Sequence, residues 1–246
     1  MTYCVGMALD KGLVLMSDTR TNSGVDNIST FRKMFSWQVP GERMIAMMTA
    51  GNLATTQAVV SKLEERTKQP DERETTLLNG PTMFNVATEV GRLLRSTIAE
   101  VQAANNSKRF TATIILAGQI AGMEPRLFMI YPEGNFIEAS WDTPFFQIGE
   151  TKYGRPILIR GYDRDMSFED AVKLLMVSFD STLKANLSVG LPLDMMVIGK
   201  DDFAPTHERR VTAEDPYFSE ISSVWGDALK SAFHSLPDYS FEPDKG

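Results

Sequence analysis

Residues 1–34, MTYCVGMALDKGLVLMSDTRTNSGVDNISTFRKM, decide how the remainder of the chain is read. Thr2 follows the initiator methionine directly, and a residue this small predicts removal of Met1 by methionine aminopeptidase. Thr2 would then carry a hydroxyl and a free α-amine on one residue. An α-amine has an unperturbed pKa of roughly 7.7–8.0, so part of it is neutral at physiological pH and can act as the base that activates the hydroxyl. Downstream, Tyr3–Leu9 is an apolar run, Asp10-Lys11-Gly12 a turn signal and Leu13–Ser17 a second apolar run. That pattern predicts a tight hairpin, which returns Ser17 and Asp18 toward Thr2. A looser return through Gly24 brings Lys33 to the same place. A lysine there would lower the hydroxyl pKa, and Asp18 would pair with it and fix it. The same two residues also read as a turn aspartate and a solvated lysine, and spacing alone leaves both readings open.

Further along, Met34–Trp37 and Arg43–Thr49 predict another strand pair across Pro40-Gly41. Gly51 ends the second of these, and Asn52 is placed to cap a helix carrying Leu53, Val60 and Leu63 on one face. Lys68–Gly80 reads as an exposed polar loop, and Thr82–Ala104 as a long amphipathic helix. Four strand candidates follow, Phe110–Ala117, Leu127–Tyr131, Phe136–Ser140 and Phe145–Gly149, expected to form a second antiparallel sheet. Helical spacing returns in Ser167–Asn186 and Pro216–Phe233, the latter with Phe218, Ile221, Trp225, Leu229 and Ala232 in register. Between them Leu193–Gly199 is a closing strand. Periodicity alone therefore gives an α+β chain.

Composition is that of a globular protein: 246 residues, 43% hydrophobic, 23% charged, with no low-complexity linker. One domain spanning 1–246 is the expectation. A net charge of -7 argues against nucleic acid or an anionic membrane as main partner. The single cysteine, Cys4, excludes an intrachain disulfide, and the two histidines make no metal site by themselves. With no signal-type leader and no apolar run of about eighteen residues, the cytoplasm is the expected location. The 14 methionines cluster in apolar runs such as 44–48 and read as core filler. Gly118–Gly122 is not a phosphate loop and His207-Glu208 lacks the second histidine of a zinc helix; both read as surface turns.

The N-terminal threonine, Ser17-Asp18-Thr19-Arg20-Thr21 with Gly24, Phe31-Arg32-Lys33-Met34 and Thr49-Ala50-Gly51-Asn52 together resemble the proteasome β-subunit family of N-terminal-nucleophile hydrolases. Within it, Asp18–Asn22, Ile28–Lys33 and Ile148–Gly154 resemble the ancestral-type β-subunit branch, Anbu. The similarity runs from Thr2 to about Gly199, with a branch-specific helix and tail from about residue 205. The resemblance implies a four-layer αββα sandwich and a threonine hydrolase that cleaves peptide or other amide bonds without a cofactor. It implies Thr2 as nucleophile and base, Asp18 and Lys33 as its charge partners, the Gly51 N–H as oxyanion donor, and Phe31, Phe35, Thr49 and Leu53 as walls of an apolar specificity pocket. It also implies self-association into a ring or an open helical ring; no unfoldase partner is named by the sequence.

Two departures from the family pattern stand out. Gly149-Glu150-Thr151 replaces a Gly-Ser-Gly segment that helps to hold the terminal amine. A carboxylate near that amine would keep it protonated; alternatively, Glu150 points to a neighbour and takes no part in the chemistry. In Ala185-Asn186-Leu187-Ser188-Val189-Gly190, Ser188 fits the family serine. Ala185, however, falls where an aspartate belongs, unless a gap brings Asn186 or Asp180 into play. Two alternatives stay open: a small-molecule amidase or transferase of the same chemistry, since N-terminal nucleophiles also process amides that are not peptides, and a weakly active self-assembling scaffold, which these departures favour.

Overall fold

The computed structural model describes residues 2–22, 28–68, 75–105 and 110–241; Met1, Gly24 and Pro70 lie outside them. Strands β1 (Tyr3–Leu9) and β2 (Gly12–Asp18) form the expected hairpin. Gly12 at its turn has φ +144°, and a Cβ there would stand 2.1 Å from the Ile198 carbonyl oxygen, so the turn admits only glycine. β3 (Arg20–Asn22) and β4 (Ile28–Thr30) make a separate ribbon. β5 (Met34–Val39) and β6 (Arg43–Gly51) pair antiparallel, and β7 (Ala112–Ile120), β8 (Arg126–Ile130) and β9 (Phe136–Glu138) extend that sheet in the order β5-β6-β7-β8-β9. The other sheet has the order β10-β1-β2-β11-β12, with β10 at Phe145–Gly149, β11 at Leu193–Gly199 and β12 at His207–Val211.

The period of two along each strand builds the layers. On β1 and β2, Val5, Met7, Val14 and Met16 face an outer cluster shared with helix α4 (Phe168–Ala185). Their alternates Cys4, Leu13 and Leu15 join Met44, Ala46 and Met48 of β6 between the sheets. The remaining face of β6, Ile45 and Met47, packs against α1 (Leu53–Lys68) and α2 (Met83–Asn105). Helices therefore flank two stacked sheets in an αββα sandwich, as expected. Nine methionines, 7, 16, 34, 44, 47, 48, 83, 176 and 196, are at most 2% exposed, the filler role read from the sequence.

Helix starts follow their caps. Asn52 Oδ1 accepts from the Thr55 N–H at 3.1 Å, Ser167 Oγ from Asp170 N–H at 3.0 Å and Asp215 Oδ1 from Phe218 N–H at 3.0 Å. A short helix not anticipated from sequence, α3 (Arg155–Gly161), opens at Pro156 in its first turn.

Four expectations are corrected. β7–β9 do not form a sheet with β10; they continue β5-β6, while β10 crosses over to pair with β1. Hydrophobic alternation marks a strand but not its neighbour. Gly118–Ile120 ends β7 rather than forming a surface turn, and Gln119 is fully buried, its Nε2 donating to the Met123 carbonyl and Asp201 Oδ1 at 2.6 and 2.7 Å. His207-Glu208 opens β12. In α5 (Pro216–His234) the apolar stripe is buried only at Phe218; Leu229 is 50% and Phe233 71% exposed, because only the first turns of the helix pack on the sandwich.

Candidate active site

The site sits where β1 begins, at one end of the sandwich. The Cys4–Ser17 register of the hairpin sets Tyr3 opposite Asp18, and the Tyr3 N–H donates to Asp18 Oδ1 at 3.0 Å. Lys33 Nζ donates to the same oxygen at 2.7 Å and to the Arg20 carbonyl at 2.6 Å. Both charges are withdrawn from water, Asp18 at 0% and Lys33 at 5% exposure. Burial pushes the Asp18 carboxyl up; the Lys33 ammonium and the Tyr3 and Gly190 N–H groups oppose that push. The reading as a turn aspartate and solvated lysine is excluded by this burial.

Thr2 is half-buried, and its carbonyl accepts the Glu150 N–H at 2.6 Å. This contact requires Gly149: φ is +84°, and a Cβ would lie 2.0 Å from the Thr2 oxygen. Beside Thr2 is a cavity of about 100 Å³, walled by Lys33, Thr49, Gly51 and Leu53 together with Thr21, Arg32 and Thr56. Gly51, at φ +122°, closes β6 where a Cβ would come within 2.4 Å of the Thr111 carbonyl oxygen, so its backbone reaches the cavity bare.

Thr2, Asp18, Lys33, Gly51, Thr49 and Leu53 are thus brought together. Phe31 and Phe35 are not among the cavity's walls, and the expected apolar pocket is corrected to one rich in hydroxyls. The strand period explains it: Met34 turns inward between the sheets, so Phe35 turns outward, packing on the helical layer beside Trp37 with ring centroids 6.5 Å apart. Arg32 takes the place at the cavity that sequence reading gave to Phe31.

Ser188 does not line the cavity either; its N–H donates to Asn186 Oδ1 at 3.0 Å. Its loop nonetheless abuts the site, because Arg20 reaches the Leu187 carbonyl at 3.0 Å and a Cβ on Gly190 would strike the Arg20 side chain. Of the two readings of Glu150, the geometry matches the one in which it points to a neighbour: the carboxylate accepts from Asn186 Nδ2 and the Lys152 N–H, both at 2.9 Å. Asp180 is buried on α4 and paired to Lys184 at 2.9 Å. The Ser17 hydroxyl, expected near Thr2, is buried opposite Cys4 and Asp194 with no hydrogen-bond partner among the described residues.

Sequence reading missed Tyr3. Its buried hydroxyl lies 2.7 Å from Ser178 Oγ and accepts from Gln147 Nε2 at 2.8 Å, and burial pushes its pKa up to about 12. Tyr3 thereby ties the residue after Thr2 to α4 and, through Ser178, to the Gly154 carbonyl at 3.1 Å. A tyrosine within an otherwise apolar strand was the available signal. Tyr3→Phe leaves Gln147 and Ser178 short of a buried partner, so a loss of about 1–3 kcal/mol in urea unfolding is expected. An unchanged midpoint would mean that the network contributes nothing.

Among the described residues, no group of three or more His, Cys, Asp or Glu side chains could hold a metal ion, and no helix is long and apolar enough to cross a membrane.

An αββα sandwich with a threonine at the head of its central hairpin and a buried Lys–Asp pair beside it has the architecture of the N-terminal-nucleophile hydrolase class. Residues 2–198 match the proteasome subunit family. The structure of Anbu (ancestral beta-subunit) from Yersinia bercovieri is 47% identical, with 97% of this chain and all of that chain covered and a TM-score of 0.91. The structure titled helical assembly of the Anbu complex, from Pseudomonas aeruginosa, is 44% identical over 97% of this chain and 98% of that one, with a TM-score of 0.90. A proteasome subunit beta of Methanocaldococcus vulcanius is 26% identical over 86% of this chain and 87% of its own length. The chain belongs to the proteasome subunit family, in its Anbu branch.

Proposed function

We propose that Thr2, once Met1 is removed, is the nucleophile of a proteasome-like hydrolase acting on peptide or other amide bonds. The observation that carries this reading is the buried Lys33–Asp18 pair, whose lysine walls the cavity that Thr2 and Gly51 share. Thr2 Oγ1 attacks the substrate carbonyl carbon, and the Thr2 α-amine takes the hydroxyl proton. The Lys33 ammonium stabilises negative charge building on Oγ1, while the Gly51 N–H donates to the tetrahedral oxyanion. Collapse breaks the C–N bond as the amine returns its proton to the leaving nitrogen. The ester is then attacked by water, deprotonated by the same amine, which frees the acid and restores Thr2. No cofactor enters this scheme, and the cytoplasm is a compartment where Met1 would be removed.

The test is intact mass before and after incubation with a peptide epoxyketone, whose two-step closure of one ring needs a hydroxyl to add to the ketone and an adjacent free amine to open the epoxide. Loss of Met1 with one adduct per chain supports the reading. A Met1-free chain that stays unmodified sinks the peptidase reading and leaves the small-molecule amidase or the scaffold.

Self-association is the second element of the proposal. It is favoured by the apolar side chains that α5 and the segment after it expose, Phe233 at 71%, Leu236 at 62% and Tyr239 at 81%. The Pseudomonas aeruginosa neighbour, titled a helical assembly, supports the same reading. A Phe233→Asp, Leu236→Asp double variant is expected to elute in size-exclusion chromatography as a smaller species than the parent. Co-elution with the parent would remove this surface from the interface.

A further inference from the structure

We infer that the cavity beside Thr2 receives an acidic side chain, Asp or Glu on the acyl side of the bond cleaved, with Arg32 as the recognising cation. The inference rests on the reading of Thr2 as the nucleophile. Three of the walls, Thr21, Thr49 and Thr56, carry hydroxyls, and Leu53 is the one aliphatic side chain among them. A volume near 100 Å³ is enough to admit a short polar side chain.

Two cations reach this space, and they differ in availability. Lys33 is committed to the nucleophile: Asp18 and the Arg20 carbonyl take two of its three ammonium donors, and the third is the one left for Thr2 Oγ1. Arg32 is instead 56% exposed, and its Nη2 donates at 3.0 Å to Glu208 Oε1, a carboxylate 47% exposed. An exposed pair of this kind is worth about 0–1 kcal/mol, so a substrate carboxylate can exchange with Glu208 at little cost. The planar guanidinium fork suits a carboxylate held by two parallel hydrogen bonds.

Glu208 lies on β12, beyond residue 198 where the family match ends. A strand outside the shared family segment therefore supplies the group that occupies Arg32 when no substrate is bound. Glu208 stands in for the acidic side chain and competes with it.

The experiment uses the full chain and four peptide epoxyketones that differ only in the residue bearing the warhead: Asp, Leu, Phe or Lys. Adduct formation rates are read by intact mass at low and high salt. In the parent protein the Asp probe is expected to react about tenfold faster than the Leu probe at low salt, with the gap narrowing as salt screens it. Arg32→Gln, a change at an exposed side chain, is expected to abolish that preference. Glu208→Gln is expected to raise the Asp rate by about two- to fivefold more than the Leu rate. A Leu, Phe or Lys probe reacting fastest, or an Asp preference that survives Arg32→Gln, overturns the acidic assignment while leaving Thr2 as nucleophile. No adduct with any of the four overturns the acidic assignment together with the peptidase reading of Thr2.

Discussion

Thr2→Ala is expected to abolish adduct formation and to lower any amide hydrolysis by at least about a thousandfold, the order of loss seen when a covalent nucleophile is deleted. Thr2→Ser is expected to retain adduct formation, since it keeps a hydroxyl beside the amine. The pair of variants matters because Thr2 also supplies a carbonyl to the Glu150 N–H at 2.6 Å. Alanine and serine both preserve that backbone bond, so a difference between them reports the hydroxyl and not the fold. Hydrolysis undiminished in the alanine variant would move the chemistry to another residue, and the description of the site would have to be abandoned.

The second large effect concerns Lys33. Lys33→Met leaves the Asp18 carboxylate buried without its cation, and breaking a buried pair from one side costs about 3–5 kcal/mol. For a chain of this size that corresponds to a fall in Tm of roughly 6–20 °C. The Asp18→Asn, Lys33→Met double variant is expected to regain part of the loss, because no unpaired charge remains. It should nonetheless react no faster with an epoxyketone than the single variant. Stability and reactivity thereby separate: recovery of both would make the pair purely structural, and a single variant as stable as the parent would contradict the burial on which the site is built.

Much of this was legible in one dimension because it depends on near neighbours. The hairpin of β1 and β2 follows from two apolar runs about Asp10-Lys11-Gly12, and the start of α1 from Asn52, whose side chain satisfies the Thr55 N–H. The methionine-rich run 44–48 needed only its unbroken apolar character to be placed in the core. Asp18 and Lys33 were harder, since each has an ordinary surface reading. They were singled out by resemblance, and it is the hairpin register and the return of β5 that bring them to 2.7 Å.

What the sequence by itself determined is most of the elements, α3 and β12 excepted, and the candidate nucleophile, because strand period, turn residues and caps are local interactions written into consecutive side chains. Tertiary structure alone decided that β10 crosses to pair with β1, that Phe35 turns to the helices while Arg32 meets the cavity, and that Glu150 spends its carboxylate on Asn186. Each of these outcomes depends on which distant surface a face is pressed against. A one-residue change in strand register reverses such a face, and local propensity cannot register it.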